Sequence, residues 1–178
     1  MQKTITSIIF YLLTITSVIA QAGLQPTPQA QEAMKKLHGM AGFWRGTGWI
    51  QMGPQRHEFN QTENVQLKVN GSIVVVDGLG KDATDSTQII HQAFAVISYD
   101  QQAGKYLMRA FRADGNYVDA DFKFLEDGRI QWGFTHPMAG EIRYTIELTD
   151  KKWTEKGAMS RDGNNWMPFF EMNLEREK

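Results

Sequence analysis

A few ionisable side chains interrupt stretches that otherwise alternate apolar and polar residues, at positions that the alternation turns inward. In HEFNQTENVQLKV, Glu63 shares a face with Phe59, Gln61, Val65, Leu67 and Val69. In KWTEKGAMSR, Glu155 and Arg161 share one with Trp153, Gly157 and Met159. In QIIHQAFAVISYD, His91 lies in phase with Ile89, Ala93, Ala95, Ile97 and Tyr99. An isolated charge is costly in an apolar interior, so Glu63, Glu155 and Arg161 imply an ion pair or a polar cavity. Chemically, Glu63 or Glu155 with His91 can act as acid and base. His91 beside two alanines also suits a ligand contact, because small inward residues leave space, although a lone strand histidine is more often one satisfied within the interior.

Other candidates are of the orienting or lining kind. In YLMRAFRADG the alternation leaves open whether Arg109 or Arg112 faces inward, and either can meet an anionic ligand. Tyr99, Trp132, Tyr144 and Met159 combine apolar bodies with polar or polarisable ends, which suits a ligand wall and also a plain core. His136, in FTHPMAG, falls beside a turn and reads as a loop or mouth residue. The chain has no cysteine, so thiol nucleophiles, thiolate metal sites and disulfides drop out. It also lacks a metal-spaced histidine pair, a nucleophile motif and a glycine-rich phosphate loop.

Strands must position these residues. Beyond Gly42 the apolar residues alternate, and turn signals recur near 53, 70, 84, 102, 115, 127, 138, 150 and 163 (MGPQ, VNGS, DATDS, DQQAGK, ADGN, EDGR, PMAG, TDKK, RDGNN). They delimit about ten consecutive strands, with no helix-length pattern between them. The expected fold is all-β, an antiparallel up-and-down barrel whose closure removes exposed edges. One short helix precedes it: Thr27 caps, Pro28 takes the first helical position, Ala30, Ala33, Met34 and Leu37 follow helical spacing, and Gly39 or Gly42 stops it. In GEIRYTIEL, the alternation points Ile142, Tyr144, Ile146 and Leu148 inward.

Residues 1–22 read as a cleavable export signal: a lysine near the start, an apolar run from Ile8 to Ile19, and the small-x-small ending Ala20, Gln21, Ala22 before Gly23. The apolar run is short for a bilayer span. The expected organisation is a signal peptide over 1–22, a linker and short helix over 23–41, and a barrel domain over 42–178, periplasmic or secreted. Nineteen basic and twenty acidic residues, in no long run of either sign, leave no footprint for nucleic acid or for a membrane surface once the signal is gone. NQT at Asn60–Thr62 has the form of a glycosylation sequon.

GFW at Gly42–Trp44, directly after the helix, resembles the glycine-x-tryptophan signature of the calycin barrels, the lipocalins, fatty-acid-binding proteins and their bacterial relatives. In those barrels an arginine of the last strand often covers the tryptophan ring, and Arg176 in WMPFFEMNLER is the residue so placed here. Within that group GFWRGTGW, AVISYDQQAGKY, VDADFKF and FFEMNLER resemble the bacterial DUF1579-type proteins, over roughly Leu37 to Arg176. The resemblance implies a structural role for Trp44 and Arg176 and an interior able to hold a small molecule.

The leading expectation is an exported, non-catalytic barrel that binds a small apolar or amphipathic ligand. Its candidate contacts are Glu63, His91, Ala93, Ala95, Tyr99, Arg109, Arg112, Trp132, Tyr144 and Met159, with no metal and no cofactor. GFWRG also resembles the start of the haem-binding nitrobindins, whose ligating histidine comes late in the chain, whereas no histidine follows His136 here. A haem-binding barrel and a Glu/His enzyme are the alternatives. A packed barrel acting through its outer surface is a further one.

Overall fold

The computed structural model describes residues 26–178; the expected signal peptide over 1–22 and the start of the linker lie outside the described residues. Helix α1 spans Pro28–Lys35, with Pro28 at its first position and Thr27 as N-cap, whose hydroxyl accepts the Ala30 N–H at 3.2 Å. A 3-10 turn over His38–Met40 then delivers the chain to the barrel.

Ten strands follow: β1 (Gly42–Met52), β2 (Gln55–Lys68), β3 (Ile73–Asp82), β4 (Ile89–Asp100), β5 (Lys105–Arg112), β6 (Tyr117–Phe124), β7 (Ile130–His136), β8 (Gly140–Leu148), β9 (Lys152–Ser160) and β10 (Met167–Arg176). Each pairs antiparallel with the next, and β10 returns to β1 with Arg176 opposite Trp44, so the barrel is closed and has no free edge. Short Asx turns link several strands. The Asp100 carboxylate accepts the N–H groups of Gln102 and Ala103, and that of Asp162 accepts those of Asn164 and Asn165, ahead of or around glycines at positive φ.

One end of the barrel is closed by α1 and the 3-10 turn. Leu37 and Met40 are fully buried there, Tyr106 Oη donates to the Ala33 carbonyl at 2.7 Å, and His38 Nε2 lies 3.0 Å from the Gly71 carbonyl. Trp44 is also fully buried, and its indole N–H donates to the Met40 carbonyl at 2.8 Å. The Arg176 guanidinium lies 4.0 Å over the Trp44 ring and donates to the carbonyls of Gly39, Ala41 and Asp150. Gly46 is needed because β10 passes so near that a Cβ would meet the Asn173 carbonyl oxygen at 2.0 Å.

Four residues expected inward are exposed, at three strand ends. Ile89 is 55% exposed: Gly80 pairs with His91 and Lys81 with Ile89, so Ile90 is an extra residue in a bulge and the phase inverts below it. Leu67 and Val69 are exposed, because β2 has by then left the barrel wall and ends at Lys68, with Val69 already at φ 50 in the turn. Arg161 is exposed one residue beyond the end of β9. At these three places the strand is losing a partner or has ended, so inward phase no longer means burial.

Candidate functional site

The barrel interior contains a cavity of about 90 Å³. Its wall is mostly apolar, from Met40 at the closed end through Val76, Ile97, Met108, Phe122, Ile146, Trp153, Phe170 and Met172. Six sequence candidates line it together: Glu63, His91, Ala93, Ala95, Trp132 and Tyr144. Glu155 joins them.

The two carboxyls carry the polar character of this space. Glu63 is 4% and Glu155 6% exposed. Glu63 Oε1 accepts from the Gln61 amide at 2.7 Å, while its Oε2 is buried without a partner. Glu155 Oε1 accepts the Trp132 indole N–H at 2.8 Å. The Trp153 N–H is directed at the same carboxyl and lowers its pKa, but closes no hydrogen bond of good geometry. Burial dominates: it pushes Glu63 up to about 8, with the charge of Glu155 adding to the rise, and Glu155 up to about 7. Near neutral pH Glu63 is therefore mostly protonated, and Glu155 is divided between its two forms.

Space for these side chains comes from glycines on the facing strand. Gly78 pairs with Glu63 and Gly80 with Gln61 across β2 and β3; a Cβ on Gly78 would stand 2.7 Å from both Glu63 oxygens, and one on Gly80 2.5 Å from Gln61 Oε1. Aromatic rings fix the rest. Trp132 stacks on Tyr144 with centroids 4.0 Å apart and planes 7° apart, which aims its N–H at Glu155. The His91 ring packs between Phe59, at 6.2 Å, and Phe170, at 5.6 Å. Burial pushes its pKa down, so the ring is neutral, and its Nδ1 has no partner. No hydrogen bond joins His91 to either carboxyl.

Four candidates lie outside the cavity wall. Arg109 faces outward and forms a two-pronged pair with Asp119, at 2.7 and 2.9 Å, over the Tyr117 ring. Arg112 has inward phase, but it ends β5 and turns to Asp114 in the following turn. Tyr99 belongs to the closed end, edge-on to Tyr106 at 5.2 Å and beside Gln29. Met159 packs on the core near the opposite end, where it pairs with Ile142 and Met167. His136 caps the turn after β7, its Nδ1 accepting the N–H groups of Met138 and Ala139.

Residues missed in the sequence include Phe122, Phe170, Met172 and the glycine pair of β3. Alternation in YVDADFKF would have turned Ala120 and Phe122 inward, opposite the exposed Asp119, Asp121 and Lys123. Phe122 pairs with Trp132 across β6 and β7, and both residues line the cavity as well as a groove on the outer side of these strands.

No family model matches the chain, and no curated protein matches it. Solved structures match in fold. The crystal structure of Rv2717c from M. tuberculosis aligns with a TM-score of 0.62 at 11% identity, over 86% of this chain and 100% of that one. The S-type phycobiliprotein lyase CPES from Guillardia theta aligns with a TM-score of 0.54 at 13% identity, over 83% of this chain and 92% of that one. With the closed ten-strand barrel, these likenesses give the chain a calycin-like fold.

Proposed function

We propose that this chain is an exported barrel that binds a small amphipathic molecule in its interior. One observation carries the reading: Glu63 Oε2, His91 Nδ1 and the Trp153 N–H are buried without partners, and their side chains all line one otherwise apolar cavity. Unpaired buried polar atoms each cost about 1 to 3 kcal/mol, so a molecule able to satisfy them is favoured there. A ligand with one apolar body and one polar end matches such a wall. Among proteins of this fold, one is named a phycobiliprotein lyase, which agrees with small-molecule binding in general terms. The DUF1579-type affiliation and the periplasmic or secreted location belong to this reading and rest on the sequence segments quoted for them.

Haem does not fit this interior. A porphyrin is far larger than a cavity of about 90 Å³, and His91, the one described histidine that lines it, is wedged between two phenylalanine rings. An acid and base enzyme draws on Glu63, Glu155 and His91 lining one cavity, but no hydrogen bond links the histidine to a carboxyl, so the binding reading ranks above it.

The test is native mass spectrometry of protein purified from its own host, compared with denatured extracts, together with an environment-sensitive apolar dye. A co-purifying small molecule, or dye uptake that falls in Ala93→Phe while the melt is unchanged, supports the reading. Absence of both from the wild type, with Ala93→Phe unfolding readily, shows a solid core and refutes it.

A further inference from the structure

We infer that the polar end of the ligand is a cation, a protonated amine carried on a small apolar body. This rests on the reading that the cavity binds a molecule, and names its chemical class. Three features of the wall lead there.

The first is charge. Glu63 and Glu155 both line the cavity, and among the described residues no lysine or arginine does. Arg176, next but one to Glu63 by register through Trp44, is occupied by the Trp44 ring and the carbonyls of Gly39, Ala41 and Asp150. A carboxylate buried without a cation is strongly disfavoured, and a cation brought by the ligand removes that cost. An anionic ligand would meet the opposite situation, two acids and no partner.

The second is hydrogen-bond capacity. The unpaired Glu63 Oε2 is an acceptor when ionised, the neutral His91 ring offers Nδ1, and Glu155 has one protein donor of good geometry, Trp132. An ammonium brings three donors and no acceptor, which suits Glu63 Oε2, His91 Nδ1 and the Glu155 carboxylate, while the Trp153 N–H is left to the ionised Glu155 carboxylate at which it is already directed. A neutral alcohol brings one donor and gives the acids no reason to leave their protonated forms.

The third is the aromatic wall. Trp132, Tyr144, Phe122, Trp153 and Phe170 surround the carboxyls, and ring faces attract organic cations. Among the described residues no group of three or more His, Asp or Glu is placed to hold a metal ion, so an organic cation is the better match to this wall.

Binding of a cation shifts the carboxyl pair toward its ionised form, so a proton leaves as the amine enters. The other titratable groups lining the cavity with the pair are His91 on β4 and Tyr144 on β8; Asp77 on β3 points outward and is exposed, and reaches Glu63 only through its charge. From β1 and β10 the facing positions are Gly46, Gly48, Phe170 and Met172, which do not titrate. The amine affinity therefore rises with pH across the range in which the pair ionises.

Calorimetric titration with benzylamine, benzyl alcohol and benzoate tests the assignment on the purified chain near neutral pH. Benzylamine is expected to bind roughly tenfold or more tighter than benzyl alcohol, with benzoate not binding, and to release about one proton, read from the dependence of the heat on the buffer's ionisation enthalpy. Glu63→Gln and Glu155→Gln keep the side-chain volume and remove the charge; each should abolish the preference for the amine and leave benzyl alcohol binding as well or better. Alcohol binding as tight as the amine, or an amine preference that survives both variants, overturns the cation assignment and leaves the binding reading standing. Uptake of the apolar dye with no benzylamine uptake does the same. Failure of all three probes and of the dye overturns the binding reading itself, and the cation assignment with it.

Discussion

Raising the pH from 5 to 9 should destabilise the wild-type fold, opposite to the behaviour of a protein dominated by surface carboxylates. Glu63 is raised from 4.5 in the unfolded chain to about 8 in the fold, and Glu155 from 4.5 to about 7. In that interval the folded state holds protons that the unfolded state has released, so stability falls as pH rises and levels off above about pH 8. At about 1.4 kcal/mol per pH unit, the Glu63 rise corresponds to about 5 kcal/mol and the Glu155 rise to about 3 kcal/mol. Water entering the cavity screens the new charge, so a loss of about 2 to 5 kcal/mol is the expected measurement. His91 acts in the opposite direction: its lowered pKa means that stability is gained as pH rises toward 6.5, and that contribution is complete above it. The exposed acids with lowered pKa values, Asp82, Asp85, Asp100, Asp114, Asp119, Asp127 and Asp162, titrate below their ordinary 3.8 and leave this window untouched. Urea denaturation at intervals from pH 6.5 to 9 therefore isolates the carboxyl pair. Glu63→Gln should remove most of the slope, and Glu63→Gln with Glu155→Gln all of it. A wild-type stability that is flat or rising over this range, or a slope unchanged in the double variant, refutes the burial of a protonated pair.

Two further outcomes follow from contacts in the barrel. Trp44→Ala removes a fully buried ring from between Met40, Trp153 and Arg176 and should cost about 3 to 5 kcal/mol in chemical denaturation; a change near zero would contradict its place at the closed end. Gly78→Ala drives a methyl group to 2.7 Å from both Glu63 oxygens and should cost about 1 to 3 kcal/mol, a loss relieved in a Glu63→Ala background. Strict additivity in that cycle would show that the glycine is kept for another reason.

The barrel was legible because its signals are local. Nine turn clusters fall between consecutive strands, and Thr27 with Pro28 marks the helix start where it is found. Alternation placed Glu63, His91, Ala93, Ala95, Tyr144 and Glu155 inward, since it needs only the period of two. It failed where pairing changes, at the bulge around Ile90 and where β2 runs out at Leu67, and it left Arg109 and Arg112 undecided: Arg112 has the inward phase but sits at a strand end beside Asp114. Phase alone says nothing of height along the barrel axis. Tyr99 and Met159 both face the interior side, yet one sits against the helix and the other toward the opposite end, with the cavity between them.

What could not be read from the chain is which inward residues meet, since Gln61 and Glu63, β3 and Glu155 are brought together by closure of the sheet. VDGLGK looks like a weakened strand in isolation, because glycine lowers strand preference. Beside β2 its meaning changes: the missing side chains of Gly78 and Gly80 are the volume that Glu63 and Gln61 occupy. The same holds across the barrel, where Gly157 lies opposite Tyr144 and a Cβ there would come within 2.9 Å of its ring. Tyr144 in turn stacks Trp132 in the position from which its N–H reaches Glu155. Glycines on β3 and β9 thus hold each carboxyl in place, one directly and one through two rings. A core selected only for stability would fill those positions with apolar side chains and omit the acids. That this one keeps two buried carboxyls, and clears space for both, is the strongest reason to regard the interior as a site.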